Sequence, residues 1–152
     1  MFRGAHSINL DNKGRLAIPS RYRDDIADRC QGRFVVTVNN TKEHCLWLYT
    51  MDEWEKVEQK LVNLPSFNPN HQKLKRFLLG QASDVDMDKS GRILLPAHLR
   101  DFAAMTKAVF LVGQGNKFEI WSEPLWNAKQ AQWLEEDMDP DQVSTEMEQL
   151  IL

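Results

Sequence analysis

Alternating apolar and polar positions divide the chain into short strands and amphipathic helices. Ile8 and Leu10 alternate with Ser7 and Asn9, as in a half-buried strand. Asp11-Asn12-Lys13-Gly14 supplies turn chemistry, the Asp able to cap backbone N–H groups and the glycine free to take positive φ. Arg15-Leu16-Ala17-Ile18 returns as a second strand, which Pro19 stops. Ser20 is the expected N-cap of a short helix ending around Cys30 to Gly32. Phe34-Val-Val-Thr-Val38 and Cys45-Leu-Trp-Leu-Tyr49 follow as strands joined through Asn39–Glu43. The unit reads ββαββ.

Asp52-x-x-Glu55 then has the form of a capping box, and Trp54, Val57, Leu61 and Leu64 recur at helical spacing until Pro65. Asn68-Pro69 opens another helix, which carries Leu74, Phe77 and Leu78 and closes at Gly80. A third is expected from near Pro124 to about Glu136. The tail beyond Pro140 is polar and acidic and should fray, although its apolar end, Leu150-Ile151-Leu152, would suit docking on a neighbour.

An internal repeat organises these elements. Asp11-Asn-Lys-Gly14-Arg15-Leu-Ala-Ile-Pro19 returns at an offset of 77 as Asp88-Lys-Ser-Gly91-Arg92-Ile-Leu-Leu-Pro96. The match continues to Arg23 and Arg100, then to Asp24 and Asp101. Leu46, Leu48, Tyr49 and Trp54 correspond to Phe118, Ile120, Trp121 and Trp126 at an offset of 72, so the second copy has lost five residues between helix and last strand. Two copies are too few for a solenoid and suit a pseudo-twofold domain in which each completes the other's core. The expected organisation is a first repeat over 1–51, linking helices over 52–80, a second repeat over 81–123, and a C-terminal helix with acidic tail over 124–152.

Composition narrows the class of function. The chain has 152 residues, 42% hydrophobic and 27% charged, an ordinary mixture for a soluble globular protein. No apolar run is long enough to span a bilayer, and Met1-Phe2-Arg3-Gly4 leads into polar residues without the apolar core of a secretory signal. The expectation is a protein of the cell interior that makes no use of a membrane. Cys30 and Cys45 match no zinc-ligand spacing and are expected as buried thiols. The sequence contains no phosphate-binding glycine loop, no HExxH and no nucleophile elbow, and His6, His44, His71 and His98 are scattered. Asp84, Asp86 and Asp88 alternate, but three carboxylates alone make a weak cation site. Neither catalysis nor a cofactor, a metal or a small-molecule substrate is expected. Trp47, Trp54, Trp121 and Trp126 read as core aromatics, and Trp133 as the tryptophan best placed for an interface.

Charge is distributed unevenly. Residues 1–100 hold 16 Lys and Arg against 12 Asp and Glu, and residues 101–152 hold 3 against 10. Among the first 23 residues, Arg3, Lys13, Arg15, Arg21 and Arg23 face Asp11 alone. Binding of a polyanion depends on such a local field rather than on the net charge of −3. An arginine directly after the turn glycine holds a planar guanidinium at the root of a tight hairpin, where it can meet two acceptors on a phosphate or on the O6/N7 edge of guanine. The alternative is that Arg15 pairs with Asp11 across the turn and both merely fix the hairpin. Around the second loop, Lys89, Arg92 and Arg100 are balanced by Asp84, Asp86 and Asp88, so a phosphate-bearing partner would gain much less there than at the first.

The paired D-x-K-G-R and D-x-x-G-R loops, each followed by an apolar-Pro step and a short helix with an arginine, resemble the MraZ family. The opening Met1-Phe-Arg-Gly4, Leu78-Leu-Gly80-x-Ala82 and Val112-Gly113-Gln114-x-Asn116-Lys117-Phe118-Glu119-Ile120-Trp121 strengthen the resemblance, which covers roughly residues 1–126. It implies an α+β fold, mainly β: a pseudo-twofold swapped-hairpin AbrB-like β-barrel made from the two ββαββ units and flanked by helices. It also implies a homo-oligomeric ring that binds double-stranded DNA at direct repeats in promoters. The family's regulators repress their own gene and the adjacent division and cell-wall genes, in the cytoplasm and on the nucleoid. The family's DNA-binding motif corresponds here to Asp11–Arg15 and Asp88–Arg92. Arg15 would read a base with Lys13 beside it and Gly14 allowing close approach, while Arg3, Arg21 and Arg23 contact phosphates, with Arg92 in the second loop. The competing expectation is a ring-forming, protein-binding scaffold without direct DNA readout, whose basic edge receives an acidic tail.

Overall fold

The computed structural model describes residues 1–39 and 41–150, so Ile151 and Leu152 of the expected docking end lie outside the described residues. The first unit contains β1 (Ala5–Asn9), β2 (Arg15–Ala17), α1 (Ser20–Cys30), β3 (Arg33–Val38) and β4 (Leu46–Thr50). After α2 (Met51–Val62) and α3 (Pro69–Leu78), the pattern returns as β5 (Ser83–Asp86), β6 (Arg92–Leu94), α4 (Ala97–Phe102), β7 (Ala108–Gly113) and β8 (Phe118–Ser122). Then come α5 (Glu123–Glu135), a 3-10 turn at Pro140–Gln142 and the short α6 (Thr145–Glu148).

The strands form an open six-stranded sheet, in the order β1-β7-β8-β4-β3-β5, and a separate two-stranded ribbon of β2 and β6. The expected closed barrel is therefore corrected: β1 and β5 are sheet edges and do not pair with each other. The reason is local. At Asp11 and Asp88 the chain turns out of the sheet, and the returning strands are three residues long before Pro19 and Pro96 end them. Those short strands pair with one another, leaving both edges of the main sheet without a closing partner. The two units are nonetheless interwoven, because β1 pairs with β7 and β5 with β3, each strand joining the other unit.

The pairing register locates the pseudo-twofold axis. In the ribbon Leu16 faces Ile93, its own repeat equivalent, and in the sheet Trp47 faces Glu119, again its own equivalent. The axis therefore runs through both pairs. On one side of the sheet, Phe34, Val36, Leu48, Leu111, Phe118 and Ile120 pack against the fully buried ribbon residues Leu16 and Ile93 and against Ile26 and Leu99 of the helices. Each such side chain contributes about 1.5–3 kcal/mol by leaving water. The other side is covered by α2 and α3 over Val35 and Tyr49, and by α5 over Cys45, Val112 and Trp121.

Cys30 and Cys45 are buried free thiols, and burial pushes Cys45 up to about 12. Two expected caps differ. Ser20 is already helical, with Pro19 at the cap position, and no side chain caps α1. The capping box at Asp52 does not form either, since α2 starts at Met51 with Thr50 at the cap position, and the Asp52 carboxylate accepts from Arg29 Nη2 at 3.0 Å. No helix among the described residues is long and apolar enough to cross a membrane.

Candidate nucleic-acid interface

Both Asp-x-x-Gly-Arg turns are built alike. Asp11 Oδ1 accepts the backbone N–H groups of Lys13 and Arg15, each at 2.9 Å, and the Gly14 N–H donates to the Asp11 carbonyl at 3.0 Å. Asp88 Oδ1 accepts from the N–H groups of Ser90 and Arg92, again at 2.9 Å, and Gly91 N–H closes the same ring at 3.0 Å. Gly14 and Gly91 adopt φ of +84° and +77°, the left-handed region that disfavours any Cβ. The backbone N–H of Arg15, opposed by some burial and reinforced by its guanidinium, holds the Asp11 carboxyl down at about 2. The backbone N–H of Arg92 likewise lowers Asp88.

Strand register places the two arginines on one surface. Arg15 faces Leu94 and Ala17 faces Arg92, on either side of the inward pair Leu16 and Ile93. Since side chains alternate across a strand, Arg15, Ala17, Arg92 and Leu94 all point away from the core. The pseudo-twofold axis relates Arg15 to Arg92. Asp11 lies between them: its Oδ2 is 2.6 Å from Arg15 Nε and 3.6 Å from Arg92 Nη1. The cross-turn ion pair left open by the sequence thus forms, yet it occupies only the Nε edge of Arg15. Among the described residues, the terminal nitrogens of Arg15 have no hydrogen-bond partner, and its side chain remains 30% exposed.

The remaining expected residues divide into two groups. Lys13 is exposed at the tip of the first turn. Arg21 is exposed on α1 with its guanidinium 4.7 Å from the centre of the Tyr22 ring. The Tyr22 hydroxyl donates to the carbonyl of exposed Arg3 at 2.6 Å, which brings Arg3 and Arg21 together around one tyrosine. Arg23 is more deeply engaged, donating through Nε to the Ile18 carbonyl at 2.7 Å and lying against Gly91. Arg100 does the same at the first turn, donating to the Leu95 carbonyl at 3.1 Å and lying against Gly14. Sequence reasoning missed Leu94, 53% exposed on the outward face, and the bridging position of Asp11. The alternation through Arg92-Ile93-Leu94-Leu95 carried the first signal, whereas the second depends on pairing between strands far apart in sequence.

A family described as "MraZ protein, putative antitoxin-like" matches residues 1–77 and, a second time, residues 78–147. The chain belongs to the MraZ family. The second match begins at residue 78, at the C-terminal end of α3. The chain is 46% identical over 153 residues to "Transcriptional regulator MraZ" of Halorhodospira halophila, with all of both chains covered. It is 45% identical to the protein of that name from Thioalkalivibrio sulfidiphilus, again over all of both chains. With the Coxiella burnetii protein it shares 48% identity over 138 residues, 91% of this chain and 90% of the relative. All three relatives bear the name of a transcriptional regulator, and a role in regulating transcription is the family's.

Proposed function

We propose that the chain binds promoter DNA in a sequence-specific manner through the outward face of the β2–β6 ribbon. The observation that carries this reading is the arrangement of Arg15 and Arg92 as symmetry mates on one exposed two-stranded ribbon, held by turns that fix their backbones. A two-stranded ribbon fits the major groove of B-form DNA, and a guanidinium presented there meets the O6 and N7 of guanine in a bidentate contact. Lys13 sits beside the bases at the turn tip, while Gly14, buried against Arg100, keeps the turn tight behind it. Arg3, Arg21 and Arg23 supply the cationic surround that engages phosphates and sets the register, the last from beneath the second turn.

One bidentate contact is worth about 1–3 kcal/mol, too little for promoter selection. The reading therefore includes a homo-oligomeric ring whose protomers engage successive direct repeats, so that each bound copy raises the effective concentration of the next. Resemblance to the MraZ family supports repression of the protein's own gene and the adjacent division and cell-wall cluster, acting in the cytoplasm at the nucleoid.

Fluorescence anisotropy with an operator duplex and a scrambled duplex at one salt concentration tests the ribbon. Arg15→Ala is expected to bring the two affinities together by weakening the operator complex. A variant that still prefers the operator as strongly as the parent removes Arg15 from base reading and favours a protein-binding scaffold.

A further inference from the structure

Helices α2 and α5 are repeat equivalents, yet only one is covered. The offset that relates Trp54 to Trp126 also carries Leu61 onto Trp133. Leu61 is 5% exposed, packed in a cluster with Leu78 of α3. Trp133 is 46% exposed, although it is held edge-on against Trp121 and Trp126 at ring separations of 6.2 and 5.9 Å. Among the described residues nothing after α5 plays the part of α3, since residues 136–150 are exposed throughout. The second unit is one helix short, with a groove at Trp133, Glu136, Asp137 and Met138 where that helix would lie.

The outward face of α3 has the complementary chemistry. Lys73, Arg76 and Phe77 line a shallow groove on it with Gln81, and fully exposed Phe67 stands at the preceding turn. Residues 61–83 carry three basic side chains and no acidic one, while residues 130–150 carry seven acidic side chains and no basic one. Among the described residues, Lys73 and Arg76 pair with no carboxylate, and Glu136 and Asp137 with no cation. We propose that a second copy of this chain supplies the missing helix: α3 of one protomer docks over Trp133 of the next, with Lys73 and Arg76 against Glu136 and Asp137.

The surfaces are two different patches of one chain, so the contact is heterologous and repeats head to tail, closing into a ring when the rotation per step allows. Aromatic anchors supply the buried area, and the opposed charges fix which faces meet. The inference rests on the oligomeric part of the function proposed above and names the contact that builds the assembly.

Light scattering after gel filtration tests it with two variants of the full chain, one carrying Lys73→Glu and Arg76→Glu, the other Glu136→Lys and Asp137→Lys. Each variant alone sets like charges face to face and should associate roughly tenfold more weakly or worse, eluting as a monomer. Mixed in equal amounts, each variant's altered face meets its complement on the other, and rings of alternating variants should return, at the parental mass for an even number of copies and within one copy of it for an odd number. That recovery also shows both variants to be folded. A parental mass in either variant alone, or monomers that do not reassemble on mixing, overturns this contact while leaving an oligomeric parent intact. A parent that is itself monomeric overturns the oligomeric reading as well.

Discussion

Arg100, from the second repeat, lies so close to Gly14 of the first that a Cβ on the glycine would stand 2.6 Å from the arginine's Cζ and Nε. Arg23 meets Gly91 in the same way, with a Cβ falling 2.3 Å from its Nε. Each repeat's helix therefore holds the other repeat's turn. The backbone carrying Arg15 is fixed by contacts 85 residues away in the chain, so the reading surface and the interweaving of the two units form one structural problem.

Gly14→Ala should destabilise the protein through two separable effects. Forcing a Cβ into the left-handed region costs about 1–2 kcal/mol. Displacing Arg100 from its place against the turn adds to this. Urea denaturation of Gly14→Ala, Arg100→Ala and the double variant separates them, since removing the arginine relieves the clash and leaves the backbone strain. The double variant should be more stable than the sum of the single losses predicts. Simple additivity would show that the two residues do not press on each other.

Asp11 gives a pH prediction of definite sign. Its carboxyl lies at about 2 in the folded chain, below its ordinary value of 3.8, so the charged form is the one the fold favours. Its contribution to stability is present above about pH 4 and fades as the pH falls through about 2. Asp11→Asn keeps an oxygen for the N–H groups of Lys13 and Arg15 but loses the charge shared by Arg15 and Arg92. The stability gap between parent and variant should hold steady above about pH 4 and narrow on acidification. Carboxyl NMR should find the Asp11 midpoint at about 2; a midpoint near 3.8 would remove the basis of the prediction.

Much of this arrangement is readable in the sequence because it is local or repeated. The Asp-x-x-Gly-Arg turn needs its aspartate and glycine within five residues, and its return at an offset of 77 fixes the second turn. Strand partners are another matter. Ala5 faces Val112 and Phe34 faces Val85, pairings that no local pattern encodes, and the interweaving of the two units follows from them. Asp52 illustrates the same difficulty at a helix end. Its spacing to Glu55 fits a capping box, but Arg29, brought near by the folded chain, takes its carboxylate. The exposure of Trp133 also becomes meaningful only once α3 is seen to cover Leu61.

Arg21 should act on affinity without acting on selection. It is exposed, stacked near Tyr22 rather than on the ribbon, and so is suited to phosphate rather than base contact. Arg21→Ala should weaken operator and scrambled duplexes by the same factor. The slope of log affinity against log salt should flatten by about one, as one phosphate contact and its released counterion are lost. A titration from low to moderate salt with both duplexes reads this directly, and an unchanged slope would place Arg21 outside the DNA contact.

The two faces of the β2–β6 ribbon should separate stability from binding. Ile93 is fully buried on the axis opposite Leu16, so Ile93→Ala leaves a cavity at the centre of the interwoven core and should cost about 2–5 kcal/mol. Leu94 is its neighbour but faces outward beside Arg15, with 53% of its surface exposed. Leu94→Ala should change stability by no more than about 0.5 kcal/mol, as expected for a surface substitution. Its effect should appear in DNA binding, because a side chain opposite Arg15 lies in the plane that meets the groove, where apolar groups contact thymine methyls. Urea denaturation and anisotropy on the same two variants check both halves. An operator affinity untouched by Leu94→Ala would mean that the outward face of the ribbon does not lie against the bases, even if Ile93→Ala behaves as the core demands.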